Sequence, residues 1–315
     1  MDILEFLKNG HFKNFIFKSF DWKTKYPDQL VSRVLSIYGF VKGYFNIGEF
    51  FLLFLPTRFK SEEIRVKFSD YLNREAKSAI KEFINEDGSI NLYGHEFYPP
   101  KENFYELAGL LFELVVFDQY KAREHLKDGS VVIDAGANIG SFSIFAVNIK
   151  KDLVVYAFEP VKETFEILKK NTSPYPNVFC YNYGLGDENV KKKIFVYRGA
   201  TGGSTFEDSG MISARCNRAN ELLEEEAQIV TMDDFVEENK VSKVDFIKMD
   251  TEGYELQILK GARKMIGKFK PVISVSAYHH EDDKEEIPKL VKSIDGAYQY
   301  NLFREYEEDL VFYAK

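Results

Sequence analysis

The sequence predicts an α/β fold, a parallel doubly wound sheet with an antiparallel last strand, preceded by a mainly α-helical N-terminal domain. Three observations predict it. Strand and helix signals alternate from residue 130 onward. A glycine turn directly follows the first of these strands. The first hundred residues carry helical rather than alternating spacing.

In chain order, apolar positions recur at helical spacing in Ile3-Leu4-Phe6-Leu7, in Leu30-Val34-Leu35-Tyr38, and in Ile64-Phe68-Tyr71-Leu72-Ala76-Ile80-Phe83. Glu86-Asp87-Gly88-Ser89 is a turn signal, and Ile90–Tyr98 fits a small hairpin stopped by Pro99-Pro100. A long helix is expected over Phe104–Glu124, packing on the α/β domain. The boundary therefore falls near residue 100, giving a helical domain over 1–100 and an α/β domain over 101–315.

Strands are expected at Val131–Ile133, Leu153–Phe158, Val178–Tyr181, Lys193–Tyr197, Ile229–Phe235, Val244–Asp250 and Pro271–Ser276. Two alternating segments, Ala297–Phe303 and Asp309–Ala314, form a closing hairpin. Residues 198–226 differ: Gly199, Gly202, Gly203, Ser204 and Gly210 precede an acidic stretch, Glu221–Glu226, that reads as helix. Such a glycine-rich insertion is either a lid over a site or a surface loop.

Composition narrows the function. A net charge of −8 argues against a nucleic-acid partner. Cys180 and Cys216 make no Cys-x-x-Cys pair and are too few for a disulfide framework, so a reducing cytoplasm is expected. Met-Asp-Ile-Leu-Glu carries no basic start of a signal peptide. The most apolar stretch, Phe50–Leu55, is far below the roughly 20 residues of a membrane span. A peripheral membrane contact of the aromatic N-terminal third stays open, although a buried helix is the simpler reading. Aromatic residues, 16% of the chain, fit a thick core and a sugar-stacking surface.

The chemistry begins at Val131-Val132-Ile133-Asp134-Ala135-Gly136-Ala137-Asn138-Ile139-Gly140. A buried strand, a glycine turn and the start of a helix define the nucleotide end of a Rossmann-like sheet. Gly136 and Gly140 would let backbone approach a ligand. The spacing Gly-x-Asn-x-Gly is not the Gly-x-Gly-x-x-Gly of nicotinamide enzymes. The carboxylate of Asp134, just ahead of the first glycine, suits a cationic ligand better than a pyrophosphate. S-adenosyl-L-methionine, with its amino and sulfonium groups, is such a ligand. Glu159, 19 residues past Gly140, stands where this fold places the carboxylate that accepts ribose hydroxyls. Pro160 suits the first position of the next helix.

A second motif is Ile247-Lys248-Met249-Asp250-Thr251-Glu252-Gly253-Tyr254-Glu255. Charges on a strand buried on both faces are costly unless paired, so Lys248 is expected to neutralise Asp250 or Glu252 near the ligand. The blander reading gives Asp250 or Thr251 a helix-capping role with Glu255 in the first turn. A third is Ser276-Ala277-Tyr278-His279-His280 at another strand end, where a neutral His279 could act as general base.

Together, Val-Ile-Asp-Ala-Gly-Ala-Asn-Ile-Gly-Ser, Phe-Glu-Pro, Thr-Met-Asp-Asp-Phe and Ile-Lys-Met-Asp-Thr-Glu-Gly-Tyr-Glu resemble the FkbM family of class I S-adenosylmethionine-dependent methyltransferases. The tail Tyr278-His279-x-x-x-Asp283-x-x-x-Ile287-Pro288 is similar to a subset in which Tyr-His replaces a terminal glutamate. The resemblance runs from about residue 104 to 315 and does not reach residues 1–100. It implies a seven-stranded methyltransferase sheet and O-methylation of a sugar, glycan or polyketide hydroxyl. It carries over Asp134, Gly136, Ala137, Asn138, Gly140, Glu159 and, less directly, Asp187 as cofactor contacts. It leaves Lys248, Asp250, Glu252 and His279 as the reaction centre.

The reaction expected is in-line attack of a hydroxyl oxygen on the sulfonium methyl, with His279 as base and Asp250 as rival. Asp250, Glu252 and His279 could instead hold a divalent cation, although no metal-ligand spacing fixes one. Two other classes stay in view. One is a nicotinamide oxidoreductase, disfavoured by Asn138 and Asp134. The other is a cofactor-binding scaffold without turnover, disfavoured by the intact Asp134, Glu159 and His279 set.

Overall fold

The computed structural model describes residues 85–92, 95–99, 114, 118–197, 204–206, 222–304 and 308–314. The helices expected before residue 85, Phe50–Leu55 and Cys216 lie outside them. The chain divides into two compact units. In the first, the expected hairpin forms: β1 (Ile90–Leu92) and β2 (His95–Phe97) pair antiparallel with Ile90 opposite Phe97. Ser89 and Glu96 brace it through a 2.9 Å hydrogen bond, Ser89 Oγ donating.

The second unit is built on a seven-stranded sheet with order β11-β12-β10-β9-β3-β4-β5. Its strands are β3 (Val131–Ala135), β4 (Val154–Phe158), β5 (Val178–Tyr181), β9 (Phe246–Met249), β10 (Val272–Ser276), β11 (Tyr298–Phe303) and β12 (Asp309–Ala314). The first five run parallel. β12 runs antiparallel to both β10 and β11, so the closing hairpin is inserted as the sequence predicts. From β3 the order proceeds one way through β4 and β5, and the other way through β9 and β10. The switch point thus lies between β3 and β9, and sheets of this type bind ligands outside the carboxyl ends at such a point.

β3, β9 and β10 read as runs of Val, Ile, Phe and Met because helices cover both faces. Ile133, Phe158, Ile247, Met249, Ile273, Val275, Leu310 and Phe312 are buried in one contiguous core. The covering helices include α2 (Ser141–Ile149), α3 (Lys162–Thr172), α5 (Glu255–Lys260), α6 (Arg263–Phe269) and α7 (Asp283–Ile294). Two shorter helices are α1 (Ala122–His125) and α4 (Met232–Glu238). Thr231 caps α4, its side chain accepting from Asp234 N.

Four expectations change. The helix predicted over Phe104–Glu124 does not run unbroken: Asp118 and Lys121 adopt left-handed φ of 46° and 55°, which a continuous α-helix excludes, and α1 starts afresh at Ala122. Pro160 precedes the N-cap Val161 and does not open α3. The expected change from helix to strand at Ile229 does not occur: the described Leu222–Glu226 is strand, within β8 (Leu222–Val230), and of Ile229–Phe235 only Ile229 and Val230 are strand, with α4 from Met232. Finally, Lys193–Tyr197 does not join the main sheet. It belongs to β7 (Val190–Tyr197), which pairs antiparallel with β8 in a separate three-stranded sheet completed by β6 (Gly184–Leu185). The reason is cross-strand pairing, which outweighs local propensity. Lys193 faces Glu224 at 2.7 Å and Lys191 faces Glu226 at 3.0 Å. Meanwhile Ala227 and Ile229 alternate inward. Among the described residues no helix is long and apolar enough to cross a membrane.

Candidate active site at the switch point

Register places Asp134 of β3 directly opposite Lys248 of β9. Asp134 is fully buried, and Lys248 Nζ lies 3.3 Å from its Oδ1. Ser143 of α2 donates to Asp134 Oδ2 at 2.7 Å. Lys248 also donates to the carbonyl of Gly136 at 2.7 Å and sits 5.4 Å from the centre of the Tyr120 ring. The ammonium is therefore shared between a carboxylate, the glycine turn and an aromatic face, as a buried charge requires. The sequence assigned Lys248 to Asp250 or Glu252. The structure pairs it with Asp134, because Asp250 lies beyond the end of β9.

The turn after β3 is held from several sides. Gly136 has φ +71°, and a Cβ there would come within 2.1 Å of the Asp250 carbonyl oxygen, so the two motif loops pack backbone on backbone. Gly140 has φ +91°, and a Cβ would meet Leu168 of α3 at 2.9 Å. Asn138, itself at φ 51°, donates its backbone N–H to Glu159 Oε2 at 3.0 Å. Glu159 Oε1 accepts from Val161 N at 2.9 Å. Glu159 thus ties the end of β4 to the turn after β3. Burial pushes its carboxyl up to about 7, against the lowering effect of the two backbone N–H groups and Lys248. Asp134 Oδ1, Asn138 Oδ1 and Ser141 Oγ are buried without a hydrogen-bond partner.

The second cluster stands at the ends of β9 and β10. Asp250 accepts from Tyr120 Oη at 2.7 Å on Oδ2, while its Oδ1 has no hydrogen-bond partner. His279 Nε2 lies 3.7 Å from Asp250 Oδ1 and 3.6 Å from Glu252 Oε2. Its Nδ1 lies 3.1 Å from Glu255 Oε1, off line for a hydrogen bond. The side chains of His279 and Glu255 are 4% and 1% exposed, against 22% for Asp250. Burial alone would strip the proton from His279. The carboxylates of Glu255, Asp250 and Glu252 overcome it and push the imidazole up to about 10. The neutral base expected from the sequence is therefore a cation as the cluster stands.

Asp134, Asn138 and Glu159 thus come together, as do Asp250, Glu252 and His279. Lys248 stands between the groups, with Tyr120 touching both it and Asp250. Asp187 does not join them. It is exposed after β6, where Gly261 packs on its backbone, and it makes no hydrogen bond or ion pair with Asp134, Asn138 or Glu159. His280 braces the loop: its Nε2 is 3.0 Å from the Gly253 carbonyl, and its N–H donates to Asp283. The sequence reading missed Tyr120, Ser143 and the dual part of Glu255. Glu255 accepts from Thr251 N at 2.8 Å, as a helix-start acid should, and also faces His279. Of the glycine-rich insertion, the described Thr205 bridges Phe195 of β7 and donates to the Glu252 carbonyl at 2.9 Å, beside the second cluster.

A switch-point crevice with two acids at adjacent strand ends is the architecture of nucleotide-cofactor transferases and oxidoreductases alike. Residues 134–306, more than half of the chain, match the methyltransferase FkbM domain, and the chain belongs to that family. It is 28% identical over 179 residues to the 31-O-demethyl-FK506 methyltransferase FkbM of Streptomyces tacrolimicus, covering 49% of this chain and 68% of that protein. It is 31% identical over 146 residues to Methyltransferase 1 of Beauveria bassiana, covering 42% and 59%. It is 27% identical over 169 residues to the hexuronic acid methyltransferase AglP of Haloferax volcanii, covering 53% and 64%. The chain thus spans about three-fifths to two-thirds of these relatives.

Proposed function

We propose that the chain is an S-adenosyl-L-methionine-dependent O-methyltransferase acting on a hydroxyl of a sugar, glycan or related secondary metabolite. The observation that carries this is the pair of buried carboxylates, Asp134 and Glu159, at the carboxyl ends of adjacent parallel strands beside the switch point. The donor set fits the cofactor. Asn138 Oδ1 is a buried acceptor without a hydrogen-bond partner, Asp134 Oδ1 meets only the Lys248 ammonium at 3.3 Å, and Glu159 keeps free lone pairs beyond its two backbone partners. Asp134 and Asn138 would take the amino-acid end, Glu159 the ribose hydroxyls. When bound, the cofactor supplies an electrophilic methyl on a positive sulfonium. The nicotinamide reading loses ground, because a second carboxylate would face a pyrophosphate.

The remaining residues align and deprotonate the acceptor. A hydroxyl is a weak nucleophile until a base removes its proton. The carboxylates around His279 favour its protonated form, which makes Asp250 the better placed base. Tyr120 orients its carboxylate through Oδ2, and Oδ1 has no hydrogen-bond partner. His279 and Glu252 flank Oδ1 and would hold the acceptor oxygen beside it. Burial of His279 and Glu255 favours a reaction space with little water. The acceptor class is supported by the hexuronic acid and FK506 methyltransferases among the relatives.

The test is incubation with cofactor carrying a trideuterated methyl and a panel of uronic-acid glycosides and polyketide alcohols, followed by mass spectrometry. Label on an acceptor oxygen is expected, and Asp250→Asn should lower kcat by about 10²–10⁴-fold, the usual worth of a positioned base. Label found only on nitrogen or carbon would refute O-methylation.

A further inference from the structure

We propose that Asp250, Glu255 and His279 form a binding site for one first-row divalent cation of the Mn2+ or Zn2+ type. The proposal rests on the reading above, in which this cluster faces the acceptor. The three residues each offer one ligand atom, all within 4.8 Å of one another. The atoms are available. Asp250 Oδ1, Glu255 Oε2 and both ring nitrogens of His279 are buried without a hydrogen-bond partner. One ion takes only one of the two nitrogens, which leaves one donor atom per residue, costly to bury unless something satisfies it.

Spacing agrees with an ion. Two ligands about 2.1 Å from a metal at a tetrahedral angle stand about 3.4 Å apart. His279 Nε2 lies 3.7 Å from Asp250 Oδ1, close to that separation, and the ligand atoms of the three residues stay within 4.8 Å of one another. Outer contacts orient the donors. Thr251 donates from N and Oγ1 to Glu255 Oε1, and Tyr120 holds Asp250 through Oδ2. In each carboxylate the oxygen left over is the unpartnered one. Charge agrees too. Two ligand carboxylates, Asp250 and Glu255, stand beside one imidazole, and the neighbouring Lys248 is taken up by Asp134 and the glycine turn. One imidazole with carboxylates selects Mn2+ or Zn2+ over Mg2+ or Ca2+, which favour all-oxygen sites. A cation here would take the place of the His279 proton and bind the acceptor oxygen, easing loss of its proton, with Asp250 then a ligand in place of the base.

The full chain, stripped with chelator and dialysed, is titrated with Mn2+ while electron paramagnetic resonance follows the free ion. Saturable uptake of one equivalent is expected, displaced by Zn2+ and not by Mg2+ at the same concentration. His279→Ala and Glu255→Gln should each weaken uptake at least about tenfold. Because Glu255 also holds the Thr251 loop, Asp250→Asn serves as a second variant, with circular dichroism to establish its fold. Absence of saturable uptake, or uptake undiminished in both His279→Ala and Asp250→Asn, overturns the site. S-adenosylhomocysteine titrated into the same stripped protein separates the two readings. Its binding without Mn2+ uptake removes only the cation. Mn2+ uptake without its binding removes the methyltransferase reading and leaves the cation site standing.

Discussion

The buried charges around Asp134 and those around His279 lie on neighbouring strand ends, yet they are balanced differently. At the first, one ammonium meets one carboxylate across the β3–β9 register, a serine holds the second oxygen, and Glu159 is anchored by two backbone N–H groups. At the second, one imidazole faces three carboxylates and several ligating atoms have no partner. The first group is scaffold as much as site: it completes the turn that joins β3 to β4. In the second, Asp250 Oδ1 and Glu255 Oε2 keep no hydrogen-bond partner, and the proposed reading gives them a ligand. Charges that hold a fold together are matched within the fold, whereas those of a binding site keep atoms for what binds.

The sharpest way to break that contrast is to unbalance the first group. Lys248→Met leaves Asp134 as a buried carboxylate without its cation, and stability should fall by about 3–5 kcal/mol, read from the urea midpoint. A loss below about 1 kcal/mol, the usual worth of a solvent-exposed pair, would show that Asp134 is not held as a scaffold charge. Asp134→Asn keeps the shape and removes the charge. We expect a fold that survives and affinity for S-adenosylhomocysteine reduced by about 10²-fold or more, measured by calorimetry, as for a buried charge-assisted hydrogen bond worth about 3 kcal/mol.

Glu159 sharpens the comparison through pH. Its carboxyl titrates near 7 in the fold, against 4.5 unfolded, because burial disfavours the anion. Between these values the folded chain holds a proton that the unfolded chain has lost. The stability this group contributes is therefore present below pH 4.5 and is lost as pH rises through 7. Ribose hydroxyls that donate to the ionised form would reverse the preference. Affinity for S-adenosylhomocysteine should rise from about pH 6 to about pH 8, with proton release visible as a buffer-dependent enthalpy. A flat profile, or uptake of a proton, would remove Glu159 from the ribose. The smallest effect belongs to Tyr120→Phe, which removes one donor to Asp250 and should cost about 0.5–1.5 kcal/mol of stability. An unchanged melting temperature would make that hydrogen bond inconsequential.

Much of this was legible in the sequence where the signal is local. The Val131–Gly140 strand and turn, the Glu159 strand end and the alternating hairpin at Tyr298–Ala314 each fit within a few residues, and each forms. The β8 strand was not legible: Leu222-Leu223-Glu224-Glu225-Glu226-Ala227 has the composition of a helix, and only the lysines of β7 opposite it decide otherwise. Lys248 was read as charged and buried, correctly, but its partner lies across the sheet at Asp134. Glu255 carried a sufficient local explanation as a helix-start acid, which hid its contact with His279. Tyr120 reaches Asp250 over a separation of 130 residues, with no motif of its own. What escaped is what depends on distant pairing.

The methyltransferase reading depends on the turn after β3 and the end of β4 binding an adenosyl cofactor of methyl transfer and not a dinucleotide. Calorimetric titration of the purified chain with S-adenosylhomocysteine, with NAD as the parallel ligand, tests this directly. Saturable binding of the first, weakened by Asp134→Asn, and no heat from the second is the expected result. Binding of NAD with none of S-adenosylhomocysteine would overturn the assignment.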